Sequence, residues 1–135
     1  MSKSEISDLS RINLTDDKDQ IINKIKKAKT DTLPLPSTIE ELEKRPEAKN
    51  LIGIYSSLIN NDLQESIDEF AGKNFSEFKE KLSDVVVNEI NPISLKIKEL
   101  LDDKVFLEKI LKDGYEKANE IASKKIKKIH EIVGF

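Results

Sequence analysis

Few side chains in this 135-residue sequence are placed to do acid–base, nucleophilic or phosphate-contacting chemistry. Carboxylates sit side by side at Asp16-Asp17, Glu40-Glu41 and Asp102-Asp103. Paired carboxylates can serve general acid–base catalysis, but acidic residues also favour helix starts, and their positions read more simply as caps and solvated faces. His130 is the single histidine and no cysteine is present, so a multi-histidine site, a thiolate zinc site and a cysteine nucleophile are excluded. No Ser-His-Asp arrangement is legible around that one histidine. Gly53, Gly72, Gly114 and Gly134 stand alone, so no glycine-rich loop cradles a phosphate. The cations are more suggestive. At about 100° per residue, Lys117, Lys124 and Lys128 fall within about 40° of one another on one helix face. Such a stripe can contact nucleic-acid phosphates, with affinity falling steeply as salt rises. It is equally a solvated face in a lysine-rich protein, as is the cluster Lys24, Lys26, Lys27 and Lys29.

The elements that must carry these residues are helices. The chain has four glycines, four prolines and long runs of Glu, Lys, Leu and Ile, and no segment alternates with period two. Met1 to Asn13 reads as an extended loop. Asp16 or Asp17 then caps a helix with the face Ile21, Ile22, Ile25 and Ala28. That helix stops before Leu33-Pro34-Leu35-Pro36, the clearest internal linker. Thr38 and Glu41 stand at capping-box spacing on a short helix ended by Pro46. Leu51, Ile52, Tyr55, Leu58 and Ile59 form a buried face on the segment 46–60. Asp62 caps a small helix bearing Leu63, Ile67 and Phe70, closed by Gly72. The longest element spans about Phe75 to Leu101, with a kink or break predicted at Pro92. Asp103 starts a helix closing near Gly114, and a last helix from about Tyr115 to Val133 buries Tyr115, Ala118, Ala122, Ile126, Ile129 and Val133. The fold class is therefore all-α, a compact bundle of about six helices.

Charge is unevenly spread. Residues 1–30 carry seven basic and five acidic side chains, residues 31–103 eight and sixteen, and residues 104–135 eight and five. A basic end behind an acidic middle permits an anionic partner there. No apolar stretch approaches 18 residues, and Met1–Ser10 lacks the apolar core of a secretory signal, so a soluble cytoplasmic protein with no membrane partner is expected.

Met1-Ser2-Lys3-Ser4 supplies four of the five letters of KMSKS. It is followed, in order, by Ile12-Asn13-Leu14 with Asp16-Asp17, by Lys24-Ile25-Lys26-Lys27-Ala28 and by Thr30-Asp31. Arg45-Pro46-Glu47-Ala48 then leads into Asn50-Leu51-Ile52 and Ile54-Tyr55-Ser56. Phe70-Ala71-Gly72-Lys73, Phe78-Lys79, Asp113-Gly114-Tyr115-Glu116-Lys117-Ala118 and the ending Val133-Gly134-Phe135 continue the series. Across essentially its whole length the sequence resembles the C-terminal part of bacterial tryptophanyl-tRNA synthetases, members of the class I aminoacyl-tRNA synthetases. The related tyrosyl enzymes typically carry a different version of the loop and an appended RNA-binding domain, so the tryptophan branch is favoured.

This resemblance implies a ligase that activates tryptophan with ATP and Mg²⁺, then transfers it to tRNA(Trp). Met1, Ser2, Lys3 and Ser4 correspond to the ATP-facing loop, with Lys3 as the catalytic cation. Residues 1–14 would be the loop remnant and connector, and residues 15–135 a helical domain on the anticodon side of the tRNA, with Lys117, Lys124 and Lys128 as its candidate contacts. No protein metal ligands are implied. The family's HIGH motif, Rossmann catalytic domain and tryptophan pocket lie upstream of KMSKS and are absent from the sequence, so the chain alone is expected not to aminoacylate. Homodimerisation is implied for the full-length family. Apolar surface is expected on helices that would pack against the nucleotide-binding domain. The alternative is a non-catalytic tRNA-binding or regulatory helical module of the same ancestry.

Overall fold

The computed structural model describes residues 7–134, and Met1–Ser4 lie outside them. Six α-helices and one 3-10 turn make up the regular structure, with no strand among the described residues: α1 Lys18–Lys27, α2 Ile39–Glu43, α3 Pro46–Ile59, α4 Leu63–Phe70, α5 Phe75–Asp102 and α6 Lys104–Val133. The all-helical expectation and the number of helices are both met. By compactness the chain divides into two units, Met1–Leu95 and Lys96–Phe135.

Side-chain caps set most helix starts. Asp17 accepts from the Gln20 amide while Gln20 Oε1 accepts from the Asp17 amide, both at 2.9 Å, a reciprocal box satisfying two N-terminal donors. Thr38 Oγ1 accepts from the Glu41 amide at 3.2 Å, but Glu41 returns its carboxylate to the Ser37 amide, one residue earlier than the box predicts. Asp62, Asn74 and Asp103 cap α4, α5 and α6 through the amides of Glu65, Glu77 and Phe106. Pro46 occupies the first turn of α3, where its missing N–H costs nothing.

The core of the first unit brings together Ile21 and Ile25 of α1, Leu42 of α2, Leu51, Ile52 and Tyr55 of α3, Ile67 and Phe70 of α4, and Phe75, Phe78, Leu82, Val86 and Val87 of α5. Tyr55, Phe70 and Phe78 meet edge to face with centroids 4.9–5.8 Å apart, an arrangement worth about 0.5–1.5 kcal/mol per pair beyond area burial. The Pro-rich linker is tied into this core. The Leu35 amide donates to Lys73 O at 2.8 Å and the Gly72 amide to Leu35 O at 3.1 Å. Gly72 has φ +73°, a left-handed backbone that side chains rarely adopt. Arg45 donates to Asp31 and to Pro34 O and lies 5.6 Å from the centre of the Phe75 ring.

Three local expectations are corrected. The stretch before Asn13 is not wholly extended: Asp8–Ser10 form a 3-10 turn, because Ser7 Oγ accepts from the Leu9 amide and Ser10 Oγ donates to Ser7 O. Of the kink or break expected at Pro92, the break is overturned: α5 continues as one helix through it. The carbonyl that loses its amide partner there belongs to Asn88, an exposed residue whose backbone water can reach. Gly114 closes nothing and lies inside α6.

The second unit is not a core. α6 contains no buried residue; Tyr115, Ala118, Ala122, Ile126, Ile129 and Val133 are all exposed, against expectation. Leu101 of α5 is likewise exposed. The apolar face recurs at helical period as predicted, but periodicity encodes a face and does not supply its cover.

Candidate functional site

The four residues assigned to the ATP-facing loop precede the described chain, so the geometry available is that of the segment they lead into. Ser7 to Asp17 is tied to the first unit by Ile12, which packs against the core, and by one cation of α1. Lys24 Nζ lies 2.7 Å from Asp16 Oδ2 and 2.7 Å from Asp8 Oδ2. Asp16 Oδ2 also accepts from the Asn13 amide at 2.8 Å, and Asn13 Nδ2 donates to Asp8 Oδ1 at 3.0 Å. The Lys24 and Asp16 side chains are only 7% and 6% exposed, whereas Asp8 is 58% exposed, so a buried pair carries a third, wet carboxylate. Burial alone would lower the Lys24 pKa, but hydrogen bonds to Asp16 and Asp8 outweigh it and hold the pKa above its ordinary value. Hydrogen bonds from Lys24 first, then Asn13, bring the Asp8 carboxyl down to about 2.

Lys24 is thereby removed from the set of lysines available to phosphates. Lys26, Lys27 and Lys29 of that cluster remain exposed, and Lys29 stands 3.4 Å from Glu47. A cleft of about 560 Å³ opens beside this segment, with Leu9, Ile12, Ile25, Leu51, Leu82 and Val86 among its apolar walls. At the C-terminal end of α1, the buried Lys79 ammonium donates to Ala28 O at 2.6 Å and to Lys26 O and Thr30 Oγ1 at 3.3 Å. It satisfies carbonyls that the end of α1 leaves unpaired, and burial lowers its pKa.

The second candidate region lies wholly on α6. Lys117, Lys124 and Lys128 are exposed, and helical rise spreads them over roughly 16 Å of one face. Lys124 also forms an ion pair with Glu120 at 2.7 Å, one helical turn away; both side chains are solvated, so the pair is weak and exchangeable. His130 is on the last turn of α6, where its carbonyl accepts from the Gly134 amide at 2.9 Å. The paired acids resolve as Asp17 and Asp103 caps, first-turn Glu40 and Glu41, and Asp102 exposed at the end of α5; Asp16 is the buried partner of Lys24. Among the described residues, no three His, Asp or Glu side chains converge as metal ligands do.

The Asp8–Asn13–Asp16–Lys24 network is the part that sequence reasoning missed. Its members are 3 to 16 positions apart across a turn, a loop and a helix, a spacing with no period. The one sequence signal was the doubled Asp16-Asp17, of which a single helix start needs only one.

A helical chain whose N-terminal segment is clasped to its first helix, with a lysine face on its last, matches a known family. The model of tRNA synthetases class I (W and Y) matches residues 1–98, and the chain belongs to that family. Over all 135 residues it is 48% identical to the tryptophan–tRNA ligase of Agrobacterium fabrum and 47% identical to that of Rhizobium meliloti, covering 38% of each. It is 47% identical to the tryptophan–tRNA ligase of Rickettsia conorii, covering 40% of it. The chain thus spans about two-fifths of the length of these relatives, and the stretch it matches is their C-terminal part. No helix among the described residues is long and apolar enough to cross a membrane.

Proposed function

We propose that this chain is the C-terminal, tRNA-side part of a cytoplasmic tryptophan–tRNA ligase. The observation that carries this reading is its 45–48% identity, over 99–100% of its length, to ligases of that one specificity from several bacteria. In the complete reaction the tryptophan carboxylate attacks the α-phosphorus of ATP, the bond to the β-phosphate breaks, and pyrophosphate leaves with Mg²⁺ held through phosphate oxygens. The adenylate then passes tryptophan to a ribose hydroxyl at the tRNA 3′ end. In this chain, Met1, Ser2, Lys3 and Ser4 belong to the loop that closes over the triphosphate. Lys3 places an ammonium where negative charge grows on the leaving pyrophosphate, and the serines add hydroxyl and backbone donors. Residues 1–14 connect this loop to residues 15–135, the helical body. Its basic α6 face, Lys117, Lys124 and Lys128, contacts tRNA(Trp) phosphates. Dimerisation belongs to the complete ligase and draws on parts beyond this chain.

The test joins residues 1–135 behind the N-terminal part of the Agrobacterium fabrum ligase. Tryptophan-dependent exchange of pyrophosphate into ATP and charging of tRNA(Trp) are expected, with Lys3→Ala lowering exchange by about 10²-fold. The 135-residue chain alone is expected to give no exchange. A second reading, raised by the exposed lysine face of α6, is a tRNA-binding module without catalysis. It prevails if the joined protein stays inactive while the chain alone binds tRNA(Trp).

A further inference from the structure

The cleft beside the Lys24 clasp is walled as a ligand site is. Its volume of about 560 Å³ falls within the range of roughly 300–1,000 Å³ typical of small-molecule sites. The Ser7–Ile12 segment, α1, α3 and α5 each contribute lining residues. Ile25, Leu51, Leu82 and Val86 give it apolar side chains that are at most 6% exposed. Ile12 and Ile54, half-buried against the same core, extend that surface.

Its charges are mostly paired off. Arg11 and Lys24 share Asp8 and Asp16, and Lys29 stands 3.4 Å from Glu47. Among the described lining residues, Lys27 is the cation outside these pairs, and it is exposed. The Lys24 ammonium, almost fully buried, bonds one oxygen of each aspartate at 2.7 Å. An ammonium has three N–H groups, and among the described residues the third has no acceptor. A buried donor left unbonded is costly, and an oxygen of a ligand in the cleft satisfies it.

We infer that this cleft binds a small amphipathic monoanion, a hydrocarbon body with a single carboxylate or sulfonate head. The body lies against Ile25, Leu51, Leu82 and Val86, where the apolar area it covers supplies most of the affinity. The head accepts from the third Lys24 N–H, and Lys27 balances its charge. One unpaired cation does not balance a diphosphate or triphosphate, so the lining selects against nucleotides.

The probe is 8-anilinonaphthalene-1-sulfonate, and N-phenyl-1-naphthylamine, the same aryl body without the sulfonate, is its uncharged control. α6 also exposes apolar side chains, so methyl-resolved nuclear magnetic resonance on the 135-residue chain locates each probe. The sulfonate should perturb the Ile12, Ile25, Leu51, Ile54, Leu82 and Val86 methyls along one saturating isotherm. The amine should bind there about tenfold more weakly, for want of the charged hydrogen bond. Lys27 is exposed, so Lys27→Gln keeps the fold; it should weaken the sulfonate about threefold and leave the amine unchanged. Perturbation absent altogether, or confined to Ile126, Ile129 and Val133 of α6, overturns the site. Equal affinity of the two probes, an unaltered sulfonate affinity in Lys27→Gln, or displacement of the sulfonate by inorganic pyrophosphate at constant ionic strength overturns the monoanion.

Discussion

Lys24 and Asp16 form an ion pair that is almost wholly withdrawn from water, and such pairs are far more costly to break than to lack. Lys24→Met leaves Asp16 buried opposite no cation, so the chain should lose about 3 kcal/mol of stability in urea unfolding. A loss within error of zero would mean that water already reaches the pair. Two other groups make stability depend on pH. The Asp8 carboxyl has its pKa depressed to about 2, so its contribution is complete above the unfolded value near 3.8 and disappears as pH falls towards 2. Thermal melts of the parent should therefore weaken between pH 4 and 2, and Asp8→Asn should flatten that limb. Tyr55 behaves in the opposite sense. Burial, with the Glu69 carboxylate accepting from its hydroxyl at 3.0 Å, pushes the phenol up to about 12. Its contribution is complete below pH 10 and is lost as pH rises from 10 to 12. Tyr55→Phe should cost about 1 kcal/mol at neutral pH, the net value of a hydrogen bond, while removing the alkaline limb.

At the scale of elements, helix starts were legible because caps are local chemistry: Asp17, Thr38, Asp62 and Asp103 each bond an amide two or three residues inside the helix they open. Helix ends were less legible. Pro92 was read as a kink or a break and Gly114 as an end, yet α5 and α6 continue through them. One proline or glycine weakens a helix, by about 3 and 1 kcal/mol respectively, without ending it where the other turns hold. Each residue should then be a local weakness. A Cβ built on Gly114 meets nothing within 4 Å, so Gly114→Ala should stabilise α6 by about 1 kcal/mol and raise helicity by circular dichroism. If helicity falls, an α-helical backbone at 114 is the wrong description. The apolar face of α6 was also legible, but its exposure was not, since sequence period reports a helix face whether or not anything covers it. The Lys24 clasp lay beyond local reading altogether, because it joins residues eight and sixteen apart across irregular backbone.

At the scale of the whole molecule, charge segregation decides where a polyanion can land. Residues 31–103 carry twice as many acidic as basic side chains and disfavour a polyanion, while residues 104–135 carry eight basic against five acidic. Among the described residues, the three-lysine face of α6 has one ion-paired carboxylate, Glu120 on Lys124. Each lysine that displaces a counterion from RNA adds about 0.7–0.9 to the slope of log affinity against log salt. If Lys117, Lys124 and Lys128 all contact phosphate, the triple alanine variant should bind tRNA(Trp) more weakly at low salt, with a slope shallower by about 2–3. Filter binding from 50 to 300 mM salt measures both quantities on the 135-residue chain. Releasing Glu120 sharpens the experiment. Glu120→Gln removes the competing carboxylate without adding a cation, so affinity should rise modestly while the slope changes little. A triple variant with the parent's affinity and slope would assign the face to solvent. The search for the tRNA contact would then move to Lys26, Lys27 and Lys29, the other exposed lysine cluster.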